Sequence, residues 1–109
     1  MERKHHYSLI IKWTGNTGKG TVDYRSYERN HNAIAENKSD LLLSSDPAFR
    51  GDETRYNPEE LLVAALSSCH MLSYPRLWAD AGVVVTDYTD NVSGTMEKTA
   101  GGSGKKLFR

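Results

Sequence analysis

Apolar and polar positions along the first third of the chain repeat with a short period. Residues 7–13 (YSLIIKW) concentrate β-branched and aromatic side chains, and the glycines of Gly15-Asn-Thr-Gly-Lys-Gly20 follow at once. This is the pattern of a strand entering a hairpin loop. Residues 21–28 (TVDYRSYE) place Val22 and Tyr24 two apart, which predicts a second strand with one apolar face. Weaker strand patterns cover residues 32–36 and 41–44, separated by the polar Asn37-Lys-Ser-Asp40. Residues 45–56 (SDPAFRGDETRY) lose all period; Phe49 and Tyr56 need packing partners, so this stretch reads as a structured loop.

The period then changes. Asn57 is a good helix N-cap, Pro58 suits the first helical position, and Glu59 and Glu60 face the positive end of the helix dipole. Glu60 also stands three residues after the cap, as a capping box requires. Leu61, Leu62, Ala64, Ala65, Leu66, Cys69, Met71 and Leu72 make the most apolar stretch in the chain, so the central helix is predicted here. Pro75 removes a hydrogen bond to Met71, which predicts a kink or early stop, with Gly82 as the final C-cap. Residues 83–90 and 92–98 resume strand character. The stretch 99–104 reads as a turn or flexible loop, and the last five residues lack a partner strand. The expected class is α+β in a single domain: an N-terminal antiparallel sheet (1–44), a loop (45–56), the central helix (57–82), strands (83–98) and a loose tail (99–109).

Composition narrows the function classes. Fourteen basic and fourteen acidic side chains cancel, which removes the field that gathers phosphate backbones or an anionic membrane surface. No apolar run approaches the ~20 residues of a membrane span, and the basic start leads into a strand pattern and not a signal h-region. A cytoplasmic protein with neither nucleic-acid nor membrane partners is the expectation. One cysteine, Cys69, cannot form an internal disulfide. With four scattered histidines it makes a poor zinc site, so no metal and no cofactor are expected.

Cys69 shares a helical face with Leu62, Ala65, Leu66 and Leu72, a setting in which a cysteine is more often a small core hydrophobe than a reactive thiol. A reactive thiolate needs a positive neighbour. Arg50 and Arg55 in the preceding loop and Lys19 in the first hairpin loop are the candidates, although surface cations are usually only solvated. Glu59 serves the helix dipole in its simplest reading. Ten helical positions span about 15 Å, so Glu59 and Cys69 of one chain cannot touch, and a shared site would need a second subunit. His70 points about 100° away from Cys69 around the helix, which makes it a packing or solvent-facing histidine.

The segment from Arg55 to His70, with Asn-Pro-Glu, an apolar helix and a cysteine ten residues after the glutamate, resembles the signature of the OsmC/Ohr family of osmotically inducible and organic hydroperoxide resistance proteins. The resemblance extends to Trp13 in the opening strand, Gly-Lys-Gly-Thr at 18–21, Ser-Asp-Pro-Ala-Phe-Arg-Gly-Asp at 45–52 and Ala81-Gly-Val. It looks closest to the OsmC-like branch carrying Leu-Ser-Ser-Cys-His.

This resemblance implies a cysteine-based peroxidase acting on organic hydroperoxides in oxidative-stress defence. Its peroxidatic thiolate corresponds to Cys69 and its glutamate to Glu59. Its site arginine falls first on Arg50, with Lys19 or Arg55 as alternatives. The thiolate would become a sulfenic acid, the arginine would stabilise developing charge and the glutamate would orient the arginine. An intertwined homodimer is implied, with the central helix packed against its mate. Family members place a resolving cysteine in a C-terminal half with another long helix, and this chain ends before it, so an external thiol reductant is expected. The alternative is a non-catalytic dimerisation or small-molecule-binding protein that keeps the helix without turnover.

Overall fold

The computed structural model describes residues 4–98 and 105–108. These fall into two compact units, Met1–Pro58 and Glu59–Arg109. The first carries an antiparallel sheet of β1 (Ile10–Trp13), β2 (His31–Ile34) and β3 (Leu41–Leu43), in that order, then a 3₁₀ turn at Pro47–Phe49. The second carries α1 (Pro58–Leu72, its first residue closing the first unit), α2 (Pro75–Asp80) and a hairpin of β4 (Thr95–Lys98) and β5 (Lys105–Phe108). The chain is α+β.

Strand β1 pairs with β2 in the register Ile11↔Ala33 and Trp13↔His31, and β2 pairs with β3 as Ala33↔Leu41 and His31↔Leu43. Ala33 and Leu43 are the buried apolar residues of this sheet, beside the fully buried Ser44. The turn between β2 and β3 closes through Asn37, whose φ of 64° lies in the left-handed region that a short Asn side chain tolerates. The two weaker strand patterns thus become the centre and one edge of the sheet.

The second strand expected over residues 21–28 does not form. Turns occupy this stretch, and β1 takes β2 as its partner. Local polar bonds account for the difference. Asp23 Oδ1 accepts from the Arg25 amide, and Ser26 Oγ accepts from the Asp23 amide and donates to its carbonyl, satisfying the backbone without a ladder. The Arg29 guanidinium lies 4.3 and 4.0 Å from the ring centroids of Tyr24 and Tyr27 and donates to both residues' carbonyls. Trp13 Nε1 donates to the Glu28 carbonyl at 2.9 Å, and Glu28 N–H donates to Gly15 O. A Cβ at Gly15 would overlap that same Glu28 carbonyl, so the approach requires glycine.

In the second unit the predicted single helix over 57–82 is two. Helix α1 begins at Pro58, as the capping pattern indicates, and ends at Leu72. Pro75 opens α2, with Tyr74 at its N-cap. Pro75 has no N–H to offer Met71, whose carbonyl accepts from Tyr74 N–H at 3.3 Å instead. Gly82, with φ of 74°, stops α2 and Val83 N–H bonds back to Trp78 O at 2.7 Å.

The strand expected over 83–90 is absent, and of 92–98 only β4 is regular. Ser67 Oγ of α1 donates to Asp90 Oδ2 at 2.6 Å, and this side-chain tether replaces strand pairing there. The tail also departs from expectation. Residues 105–108 form β5 against β4, with Met96↔Leu107 in register, so the hairpin has its partner strand. The turn expected at 99–104 lies outside the described residues.

Candidate thiol site

Cys69 is exposed near the C-terminal end of α1. Ser73 Oγ donates to the Cys69 carbonyl at 3.0 Å and helps close the helix. The C-terminal end of a helix carries partial negative charge and disfavours an anion. Within the same unit Arg76 pairs with Asp80 at 3.7 Å. His70 is exposed and meets the Tyr74 ring edge-on, with centroids 5.0 Å apart, a packing role in keeping with its direction around the helix.

Glu59 is half-buried in the first turn of α1. The helix is continuous from Pro58 to Leu72, so the ten positions between Glu59 and Cys69 keep the two side chains about 15 Å apart within one chain. No residue of α1 is buried, and Leu62 and Leu66, on the face that also holds Cys69, are 48% and 47% exposed. The broad apolar pattern of this helix is thus an uncovered surface in the isolated chain.

The three candidate cations lie in the first unit and differ in what they touch. Arg55 is half-buried, with Nη1 against His31 O at 3.3 Å, Asn32 Oδ1 at 3.4 Å and Leu43 O at 3.5 Å, and its Nε is 4.0 Å from Asp52. Its donors serve the sheet. Lys19 is exposed on the glycine loop, where Asn16 Oδ1 accepts from the amides of both Gly18 and Gly20 at 3.0 Å. Those amides, the groups a phosphate would need from a Gly-Lys-Gly loop, are taken by the loop's own asparagine.

Arg50 differs from both. It caps the 3₁₀ turn in a left-handed conformation, with φ of 63° and ψ of 28°, and its side chain is exposed with no hydrogen bond or ion pair among the described residues. The loop that presents it is closely built. Asp46 Oδ1 accepts from Ala48 N–H, and Asp46 O accepts from the amides of Phe49 and Gly51. A Cβ at Gly51 would overlap the Ser45 carbonyl.

Asp52 follows in the same loop. Its carboxyl is held below the usual carboxylate range, first by the Thr54 hydroxyl at 2.6 Å, then by the Thr54 amide at 2.9 Å. Among the described residues no group of three or more His, Cys, Asp or Glu is arranged to hold a metal ion, and no helix is long and apolar enough to cross a membrane.

A family model described as OsmC-like protein matches residues 51–108, a span that includes both Glu59 and Cys69. This chain belongs to the OsmC-like family. Its fold is similar to that of an OsmC-like protein of unknown function from Vibrio cholerae, with a TM-score of 0.82 and 31% sequence identity. The likeness covers 95% of this chain and 69% of that one. No curated protein matches the sequence. Arg50 stands one residue before the family match, so membership of the OsmC-like family bears on Glu59 and Cys69 more directly than on the arginine.

One arrangement in this OsmC-like chain was not singled out from the sequence. His70, Tyr74 and Trp78 recur every four residues, and their rings make successive contacts. The i, i+4 spacing was the available signal, hidden by the proline between the second and third members.

Proposed function

We propose that this chain is a thiol-dependent peroxidase that reduces organic hydroperoxides in oxidative-stress defence, working in the cytoplasm as a homodimer. The observation that carries the reading is the exposed Cys69 thiol beside the exposed Leu62 and Leu66 on one face of α1. An apolar peroxide can lay its hydrocarbon part on these leucines and bring its O–O bond to the sulfur. Membership of the OsmC-like family supports this choice of chemistry.

In the proposed reaction, Cys69 Sγ as a thiolate attacks the terminal peroxide oxygen. The S–O bond forms, the O–O bond breaks, and the alkoxide leaves and takes a proton, so the product is an alcohol and Cys69 is a sulfenic acid. Arg50 supplies the cation that the end of α1 lacks and stabilises the developing negative charge on oxygen. Glu59 of the partner subunit orients that arginine, because the length of α1 excludes Glu59 of the same chain. An external thiol then reduces the sulfenic acid: one molecule condenses with it and releases water, and a second frees Cys69 as the mixed disulfide is exchanged.

A second reading is favoured by the position of Cys69 at the helix end that disfavours an anion. In it the chain is a non-catalytic dimerisation or small-molecule-binding protein. Treatment with tert-butyl hydroperoxide in the presence of a dimedone-type probe separates the two. The peroxidase reading expects a single adduct on Cys69 that is lost in Arg50→Ala; a thiol left unmodified by the peroxide overturns it in favour of the second.

A further inference from the structure

The second unit contains an open-sided cavity of about 650 Å³, lined by α2 and by the segment that follows it. Met71, Trp78, Val83, Val85 and Tyr88 give it apolar and aromatic walls. A chain reversal builds it. Gly82 stops α2 with φ of 74°, Val83 N–H bonds back to Trp78 O at 2.7 Å, and residues 83–88 then line the same cavity as the helix. The bond from Ser67 Oγ to Asp90 Oδ2 anchors the far end of that segment to α1. Cys69 is not among the lining residues, so the cavity is separate from the proposed thiol chemistry.

Its charge and its rings point the same way. Asp87 is the only charged residue that lines it, and this exposed carboxylate makes no hydrogen bond or ion pair among the described residues. Trp78 and Tyr88 meet at 43° with centroids 6.2 Å apart, forming an aromatic corner in the wall. Ring faces carry partial negative charge and attract cations. An anion would meet the Asp87 carboxylate with no cationic side chain in the lining to offset it. The volume is that of a pocket for a drug-sized molecule, so a bare ammonium ion would leave most of the apolar wall without a partner.

We propose that this cavity binds an apolar monocation, a substituted ammonium carrying an aromatic or branched hydrocarbon group. The charge lies by Asp87 and the Trp78–Tyr88 corner, and Met71, Val83 and Val85 take up the hydrocarbon. The site stands apart from the peroxidase reading, because a neutral hydroperoxide draws no advantage from Asp87.

Three probes with one hydrocarbon and three charges test this: 4-phenylbutyltrimethylammonium, 4-phenylbutan-1-ol and 4-phenylbutyrate. Each is titrated into the full chain, and amide and indole N–H resonances are followed by nuclear magnetic resonance. The two tryptophans serve as reporter and control, since Trp13 lies in the first unit with its Nε1 bonded to Glu28 O; the indole signal absent from Trp78→Leu identifies Trp78. The ammonium probe is expected to shift the Trp78 indole and the amides of residues 82–88 and to leave the Trp13 indole in place. It should bind at least about threefold more tightly than the alcohol, with the carboxylate weakest. Asp87→Asn removes a charge that no other described side chain uses, and should weaken the ammonium about threefold while leaving the alcohol unchanged. Absence of binding, equal affinity for the three probes, a preference for the ammonium that survives intact in Asp87→Asn, or shifts centred on Leu62 and Leu66 overturns the proposal. None of these readouts involves Cys69, so the outcome is separate from the success or failure of the peroxidase reading.

Discussion

The guanidinium of Arg55 donates to the carbonyl oxygen of His31 at 3.3 Å, across twenty-four residues of sequence. Arg55 thereby joins the loop before α1 to the central strand of the sheet. Replacing it with alanine leaves the carbonyls of His31 and Leu43 short of a donor and should cost about 1–2 kcal/mol of stability. Urea unfolding followed by circular dichroism measures this, and under the proposed mechanism the rate of Cys69 sulfenylation in the folded variant should stay near that of the unaltered chain.

Arg50→Gly should do the reverse. The left-handed conformation at this position costs a non-glycine residue about 1 kcal/mol, and glycine removes that cost while giving back part of it as unfolded-state entropy. The variant is expected to be as stable as the unaltered chain or slightly more so, and to lose peroxide-dependent labelling of Cys69 by at least tenfold. Unchanged labelling would remove Arg50 from the proposed site.

The bond from Ser67 to Asp90 ties an irregular segment to α1. Ser67→Ala should cost roughly 0.5–1.5 kcal/mol and should raise amide hydrogen exchange over residues 83–94 more than in β4. Equal exchange in both variants would mean that Val83 N–H to Trp78 O suffices to hold the segment.

Asp52 makes stability depend on acid. Its folded-state carboxyl titrates below the usual range, first because Thr54 donates its hydroxyl and then its amide to the ionised form. The stabilisation is therefore present above the unfolded-state value, near pH 4, and is lost as pH falls through the lower folded value. Denaturant midpoints of Asp52→Asn and the unaltered chain should differ at pH 7 and converge in acid, once the lowered folded carboxyl is protonated. A difference that persists in acid would point to hydrogen bonding independent of charge.

Leu62 and Leu66 leave α1 with an uncovered apolar face, and surfaces of this kind drive association. Under the homodimer proposal, Leu66→Glu should yield a monomer by light scattering and abolish Cys69 labelling together with it. A soluble monomer of the unaltered chain that still reacts with peroxide would overturn the shared-subunit site.

Local chemistry makes several features legible in the sequence alone. Asn57, Pro58 and the two following glutamates mark a helix start that falls at Pro58, and Pro75 marks the break before α2, because capping and a missing N–H act within one turn of chain. Cys69 was legible as the thiol in question because it is the only one. Residues 21–28, however, carry an alternating pattern and yet turn, since Arg29 captures the Tyr24 and Tyr27 carbonyls and Asp23 and Ser26 bond locally. Periodicity records which face could be apolar and says nothing of a competing donor several residues away. The pairing of β1 with β2 and of β4 with β5 depends on segments brought together through space. The two arginines of the loop look alike along the chain; they part company only because the β2 and β3 carbonyls lie within reach of Arg55, while the left-handed turn at Arg50 leaves its side chain in solvent.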